Sequence, residues 1–405
     1  MAPPVALPEI GRGSRGRRAN RRRGVSRIYQ RGRGRTPDSN AQGDTLNARN
    51  DIAARTAASK QLSSLKTGEI ITAVDGSQWS VTQPGKEVLG RKGSHNILKD
   101  KEGPSPYAKR YVEEGNACSA WRLIISESML KHIQKCTQKF ARETSGDETW
   151  SISLHELDAF IAILYARGAY GARTLELESL WSKVWGPLFF ANTMSRNRFR
   201  EIMRFLRFDI KSDRLERLQR DKFALISEVW NKFVENCQTC YIPGGNLTGD
   251  EQLFPCKCRC KFIQYMRNKP DKFGIKFWIL ADSGSKYMCN ASPYLGRVEE
   301  RAPDESIGEL VIMNLAQPFL NKGRNITTDN FFTSVRLAAT LKNKNTSLVG
   351  TVNRSRREIP KIVKDSRAPL HSTVLLKGDD VSLTVYQGKV TKNVLILSTI
   401  ILVFR

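Results

Sequence analysis

Two aspartates stand where metal-dependent chemistry could take place. Asp250 lies in a predicted strand, within the run Leu247 to Gln252, and Asp329 ends a second predicted strand that starts at Asn325. A carboxylate beside a sheet is costly to bury unless it is paired or bound to a metal. Two carboxylates on neighbouring strands could hold the divalent cations that phosphoryl-transfer enzymes use. The spacing alone favours a plainer interpretation, in which each aspartate is a strand-end or helix N-cap residue.

The elements that must position these aspartates change character at Gly245. Beyond it, short β-rich runs alternate with helices, which is typical of an α/β domain. Before it, apolar residues recur at helical spacing over 125–140, 153–164 and 195–206 and after Asp221, with a capping box at Ser153 and Glu156. In the last two helices we expect these side chains to face inward: Phe199, Ile202, Met203 and Leu206, then Phe223, Ile226, Val229, Trp230 and Phe233. A hairpin is predicted around Ile70 to Val81.

Four arginines recur along one face of the predicted helix that starts at Ser195. Arg196, Arg200, Arg204 and Arg207 follow the i, i+4, i+8, i+11 spacing of a single helix face. The alternative is a solvated basic face. Because arginines without interleaved acidic residues repel one another, we favour a stripe that lies along DNA phosphates.

The charge of the whole chain points the same way. The 405 residues are 40% hydrophobic and carry a formal charge of +26, which favours a polyanionic partner: nucleic acid by default, with an anionic membrane surface as the competitor. Twelve arginines lie within the first fifty residues, which we expect to be disordered. The cluster formed by Arg17, Arg18, Arg21, Arg22 and Arg23 fits a nuclear import signal and a phosphate-binding arm, but also a solvated tail without a role.

Membrane insertion and secretion are not indicated. The chain opens without a signal peptide, and its most apolar run, Val394 to Phe404, is shorter than the roughly 20 residues of a membrane span. That run is predicted to be a buried strand. Of the eight cysteines, Cys237 and Cys240 have pair spacing and could join the alternating Cys256, Cys258 and Cys260 at a zinc ion, but free core thiols are favoured over zinc.

Several blocks of the sequence, in order and in spacing, resemble the piggyBac transposase family over roughly residues 115 to 400. The blocks that carry the resemblance are Met194 to Phe199, Leu206 to Asp209, Asp250 to Leu253, Arg259-Cys260, Asn268 to Pro270, Phe273 to Lys276, Tyr294 to Gly296, Thr328 to Ser334, Gly350 to Val352 and Arg357 to Pro360. This resemblance favours a metal-binding role for the two aspartates over the interpretation of each as a strand-end or helix N-cap residue.

The resemblance implies an α/β RNase H-like catalytic domain with a DDE-type triad of three aspartates, preceded by a mainly α-helical DNA-binding and dimerisation domain. It also implies a TTAA target preference and excision through hairpin intermediates. Asp250 and Asp329 fall on the first two triad positions, so they are the implied catalytic residues and ligands of Mg²⁺ or Mn²⁺. The family's third aspartate lies in a Gly-Gly-Val-Asp context that does not occur before Arg405. We therefore expect weak metal binding and a chain that is truncated at its C-terminus.

These considerations divide the chain into five segments. They are a disordered arginine-rich tail (1–50), a polar linker (51–110), a helical domain (111–245), an RNase H-like core (246–352) and the start of a β-rich insertion (353–405).

The favoured function is that of a nuclear, transposase-derived protein that binds double-stranded DNA and does not complete cleavage and strand transfer. Two alternatives stay open: an active Mg²⁺-dependent transposase whose gene model is incomplete, and a non-functional remnant. A homodimer is left open, and no membrane partner is expected.

Overall fold

The computed structural model describes residues 65–82, 97–296, 306–365 and 368–400, which fall within one unit of the chain, Ala53–Arg405. The predicted tail 1–50, with its five clustered arginines Arg17, Arg18, Arg21, Arg22 and Arg23, lies outside the described residues.

Helices occupy most of the chain between Pro106 and Cys240, where the apolar spacing predicts them. The helices, including three beyond that range, are α1 Pro106–Tyr111, α2 Ala117–Ile124, α3 Glu127–Ser145, α4 Leu154–Ala169, α5 Leu177–Leu180, α6 Leu188–Thr193, α7 Arg196–Phe205, α8 Arg214–Arg220, α9 Ser227–Cys240, α10 Ile307–Ala316, α11 Val335–Lys342 and α12 Lys361–Asp365. Within the described ranges, none of these helices is both long and apolar enough to cross a bilayer.

Local sequence signals account for where these helices begin. Ser153 Oγ accepts a hydrogen bond from the Glu156 amide, and the Glu156 carboxylate accepts one from the Ser153 amide, which confirms the predicted capping box. Ser195 caps α7 in the same way, through the Arg198 amide. The predicted start after Asp221 is wrong for α9, because residues up to Ile226 form a turn and the helix begins at Ser227.

The helices pack around a core in which α4 and α7 face each other. Phe160 and Phe199 stack with ring centroids 5.1 Å apart, and both are almost fully buried. Ile202 and Phe205 continue the buried stripe of α7. The prediction that Met203 faces inward is wrong: its side chain is 47% exposed, because the inward stripe follows the i, i+3, i+6 positions and reaches Phe205 instead.

Most strands follow Cys240 and belong to one large sheet, which also includes two strands from the start of the described chain. The strands are β1 Ile70–Thr72, β2 Gln78–Thr82, β3 Gly103–Pro104, β4 Tyr241–Ile242, β5 Asn246–Pro255, β6 Ile263–Tyr265, β7 Phe273–Asp282, β8 Met288–Pro293, β9 Asn325–Thr328, β10 Ser347–Thr351, β11 Thr373–Lys377, β12 Ser382–Lys389 and β13 Lys392–Ser398. The sheet order is β1-β2-β11-β12-β13-β10-β9-β5-β7-β6, with β8 also paired to β7, and β3 pairs with β4 separately.

The centre of the sheet mixes the two strand directions. β5 runs parallel to β9, and β9 runs parallel to β10, whereas β5 is antiparallel to β7. Helices α10 and α11 supply apolar side chains to the core beside these strands, including Ile312 and Leu341. Strands alternate with helices here, as the sequence after Gly245 predicts.

The predicted hairpin near Ile70 is present as β1 and β2, which pair antiparallel from Ile70 to Thr72. Its second strand, β2, pairs with β11 and so extends the large sheet. Trp79 of β2 is 1% exposed and belongs to the same hydrophobic core as Leu247 of β5. The apolar run from Val394 contributes β13, which is buried as predicted up to Ser398, and residues 401–405 lie outside the described residues.

The buried side chain of Arg324 links the segment that precedes α1 to the residues just before β5. Arg324, which is 1% exposed, donates to the Pro243 carbonyl at 2.9 Å and to Asp100 Oδ2 at 2.9 Å. Lys322 approaches the same carboxylate at 3.0 Å. Burial by itself would raise the pKa of Asp100, but the hydrogen bonds from Arg324 and Lys322 outweigh burial and lower it. This cluster fixes the backbone at the entry to β5.

We expect Arg324→Met to lower the free energy of unfolding by roughly 3–5 kcal/mol, because it leaves buried carbonyls without their donor and the partly buried Asp100 carboxylate with Lys322 alone. Chemical denaturation followed by circular dichroism measures the change. Arg173→Met is the matched control, since the Arg173 side chain is 76% exposed. Equal denaturation midpoints for the two variants would contradict the structural role of Arg324.

Candidate active site

The parallel pairing of β5 with β9 brings the two predicted aspartates together. The register runs from Asn246 opposite Asn325 to Gly249 opposite Thr328, so Asp250 and Asp329 are the next residues on the two strands. Neighbouring strands lie about 4.8 Å apart, which places the two carboxylates side by side. Both side chains are exposed. The place where β9 ends beside β5, called here the Asp250–Asp329 edge, is therefore open to an incoming ligand.

A tight turn holds Asp329 in place. Asp329 Oδ1 accepts a hydrogen bond from the Phe331 amide at 3.0 Å, and the Asp329 carbonyl accepts from Thr333 Oγ1 at 2.7 Å. The hydroxyls of Thr328 and Thr333 lie 2.7 Å apart beneath the turn. Ser334 then caps α11 through the Leu337 amide at 3.0 Å. The block from Thr328 to Ser334 is thus a strand end, a turn and a helix cap that together orient one carboxylate.

Gly350 lets β10 lie close against this turn. A Cβ atom at Gly350 would come within 2.3 Å of Thr333 Oγ1 and 2.6 Å of the Thr328 carbonyl. Real side chains do not tolerate such distances, so the block that begins at Gly350 requires glycine there. Because glycine has no side chain, β10 can pack against the turn that holds Asp329.

Further charged groups surround the aspartate pair. Glu251 follows Asp250, and Lys269 Nζ lies 3.7 Å from Glu251 Oε1. Burial and the neighbouring charge of Asp250 raise the pKa of Glu251, although Lys276 and Lys269 oppose the shift. Sequence reasoning missed Glu251, Lys269 and Lys276 as members of the site. Only the alternation of side chains along β5 and β7 could have indicated that Glu251 and Lys276 share a face.

A third metal ligand does not join the pair in the described part of the chain. Among residues 65–82, 97–296, 306–365 and 368–400, no group of three or more His, Cys, Asp or Glu side chains is arranged to hold a metal ion. Asp379 and Asp380 lie between β11 and β12, with β13, β10 and β9 between them and β5. Asp380 forms an ion pair with Lys342 at the end of α11.

The cysteines lie in two different environments. Cys237 and Cys240 are buried in α9, and burial raises the pKa of Cys237 to about 11. Cys258 is exposed in the segment after β5, where the Cys258 amide donates to Cys256 Sγ at 3.3 Å. Hydrogen bonding with Cys256 is the main cause that raises the pKa of the Cys258 thiol to about 12.

The arginine stripe is present on α7, but an acidic residue accompanies it. Arg200 donates to Glu178 Oε1 at 2.6 Å, and Arg196 lies 3.6 Å from the same oxygen. Arg204 is exposed, whereas Arg207 lies past the end of α7 with its guanidinium 3.5 Å from the Phe140 ring centroid. Glu178 belongs to α5, so the spacing within one helix could not have placed it beside the arginines.

The raised pKa of Glu251 makes stability depend on pH. The folded chain favours the protonated carboxyl, so stability falls as pH rises through the ordinary value of 4.5, where the unfolded chain ionises first. Glu251→Gln removes this loss. We therefore expect the variant to gain stability over the parent at neutral pH but not near pH 4, as measured by denaturation at each pH. Glu216→Gln, on the exposed face of α8, should show no such pH-dependent gain.

A family model described as transposase IS4 matches residues 116–402. Two curated human proteins, the piggyBac transposable element-derived protein 3 and the chimeric ERCC6-PGBD3 protein, are each 28% identical over 162 residues. The match spans 39% of this chain, but only 26% of the first relative and 14% of the second.

A solved structure matches over a larger part of the chain. The piggyBac transposase in a cryo-EM structure of a synaptic complex with hairpin DNA is 31% identical, with a TM-score of 0.69. The match covers 75% of this chain and 64% of that chain. The resemblance inferred from the sequence blocks is confirmed, and the chain belongs to the transposase IS4 family of the piggyBac type.

Proposed function

We propose that this chain binds double-stranded DNA, carries a partial divalent-metal site at Asp250 and Asp329, and does not by itself complete cleavage and strand transfer. The observation that carries the proposal is the β5–β9 register, which sets two exposed carboxylates side by side at one edge of the sheet. The mixed order β8-β7-β5-β9-β10, with α10 and α11 packed on it, supports an RNase H-like assignment for this part of the chain.

The donor set fits a hard cation. Carboxylate oxygens are the ligands that Mg²⁺ and Mn²⁺ prefer. Asp250 Oδ1 accepts from the Glu251 amide at 2.7 Å and Asp329 Oδ1 from the Phe331 amide at 3.0 Å, so each carboxylate has a second oxygen that could serve as a ligand. A bound ion would supply charge neutralisation at a phosphate. Two carboxylates hold such an ion weakly, since fixing two metals for an in-line displacement needs more ligands.

DNA is the proposed partner of the basic surface. The solved relative was captured in a complex with DNA, and this chain carries a formal charge of +26. On α7, Arg204 is exposed, and Arg196 and Arg200 are both half-exposed although Glu178 pairs with them. Phosphates can replace a surface carboxylate as the partner of these arginines, because exposed ion pairs are weak. The helices of residues 106–240 are therefore proposed to contact the DNA backbone.

Freeing the arginine stripe should strengthen DNA binding. Glu178→Gln removes the carboxylate that pairs with Arg196 and Arg200, so we expect roughly twofold to fivefold tighter binding to duplex DNA and a steeper dependence on salt. Fluorescence anisotropy titrations over a range of salt concentrations measure both. Glu176→Gln is the matched control, since it removes an exposed acidic residue two positions away. The same small gain in both variants would show that the stripe does not contact DNA.

Removing either aspartate should separate metal binding from DNA binding. We expect Asp250→Asn and Asp329→Asn each to abolish Mn²⁺ binding measured by electron paramagnetic resonance. Affinity for DNA should stay unchanged or rise slightly, because a negative charge near phosphates is lost. The unmodified chain should show no excision or strand transfer on piggyBac-type transposon ends with TTAA flanks at any Mg²⁺ concentration.

A chimera provides the positive control for that result. Addition of the C-terminal segment of an active relative, with its third aspartate, should give cleavage that disappears with either Asp→Asn change. Robust cleavage by the unmodified chain would overturn the proposal and show that another carboxylate completes the site.

A further inference from the structure

Lys276 lies on β7, within reach of the charges of Asp329 and Asp250. It pairs in register with Leu253, and Trp278 pairs with Glu251 on the neighbouring strand. Residues two apart along a strand share a face of the sheet, so Lys276, Trp278 and Glu251 lie on the same face. Phe331, two residues after Asp329, brings its ring to this face and stacks on Trp278 with centroids 5.6 Å apart.

Three aromatic rings surround the Lys276 ammonium. Nζ lies 3.7 Å from the ring centroid of Trp278, 5.4 Å from that of Phe331 and 5.8 Å from that of Tyr294. Cations within about 6 Å of an aromatic face are attracted to it, and the attraction increases as water is excluded. The cage therefore fixes the position of an otherwise flexible ammonium group.

The ammonium keeps its hydrogen-bond donors available. Within the ranges that the structure covers, no carboxylate oxygen lies within 4.0 Å of Lys276 Nζ, and the group makes no hydrogen bond. The nearest acidic neighbour on its face, Glu251, instead has Lys269 at 3.7 Å. Burial lowers the pKa of Lys276, while the charges of Glu251, Asp329 and Asp250 oppose the shift. A fixed cation with no direct partner among the described residues thus lies close to several carboxylates.

We propose that Lys276 binds a backbone phosphate of DNA at the Asp250–Asp329 edge and positions it there. This rests on the proposed function, which brings DNA to that edge. Carboxylates repel a phosphate, so a phosphate that approaches them needs a nearby cation. An ammonium group suits this role because it binds phosphate as a point charge with three donors. Lys276 is partly buried, and lower exposure to water strengthens the attraction between opposite charges.

Lys276→Met tests the role in the full-length chain. Methionine has a similar length and makes favourable contacts with aromatic rings, so the cage should keep its fold, which near-ultraviolet circular dichroism verifies. Binding to a short duplex that carries a piggyBac-type end is measured by anisotropy over a range of salt. Loss of one phosphate contact should reduce the slope of log affinity against log salt by about 0.9, which makes binding about eightfold weaker at 0.1 M than the parent if the two agree at 1 M.

Lys286→Met is the matched control, because Lys286 is exposed beyond the other end of β7 and donates to the Ser283 carbonyl at 2.5 Å. Its salt slope should equal that of the parent. Amine acetylation mapped by mass spectrometry gives a second measurement on the unmodified protein. DNA should protect Lys276 from acetylation and leave Lys286 reactive.

The two proposals fail in different ways. If the parent binds DNA but Lys276→Met keeps the parental slope, or Lys276 is not protected, the role of Lys276 is refuted and DNA binding stands. If the parent does not bind DNA at all, both proposals are refuted.

Discussion

The parallel ladder between β5 and β9 is the constraint on which the site depends. Leu247 and Ile326 are opposite each other in that ladder, and both are almost fully buried in the sheet core. A slip of one residue would turn each apolar side chain to the other face of the sheet. The burial of each such side chain contributes about 1.5–3 kcal/mol, so the core strongly disfavours the slipped register. The same register sets Asp250 beside Asp329, so the packing of the core positions the carboxylates.

The ladder is fixed at both of its ends. At the start of β5 and β9, Arg324 holds the Pro243 carbonyl and Asp100. At the other end, Gly350 allows β10 to pack against the turn that follows Thr328. A polar network and a close backbone contact therefore flank the apolar ladder. Such a frame suits electrostatic binding, which gains most when the charged groups do not have to reorganise.

The local signals in the sequence predicted most elements, and the resemblance of the sequence blocks singled out the two aspartates, but neither identified the groups around them. Capping residues and side-chain periodicity depend on a few neighbouring residues, which is why Ser153, Ser195 and the alternation after Gly245 could be interpreted directly. Glu178 and the aromatic cage of Lys276 depend on contacts between segments far apart in the chain, which periodicity does not encode. The sheet position of β2 is a similar case, since its partner β11 lies almost 300 residues later. For Met203, the helical spacing allowed two inward stripes, and packing against α4 selected the one that contains Phe205.

The charges at the open edge connect metal binding to DNA binding. This edge gathers Asp250, Glu251 and Asp329 in a chain that is otherwise strongly basic, and a DNA backbone would add further negative charge. Each cation that enters reduces the repulsion between carboxylates and phosphate, so a metal ion and DNA should each favour binding of the other. Lys276 supplies a permanent cation but only one charge. Among the described residues, no carboxylate oxygen lies within 4.0 Å of its ammonium group. In the proposed function, the protein's own cation would bind the phosphate and the carboxylates would bind the metal ion, so separate groups of side chains would hold the two ligands.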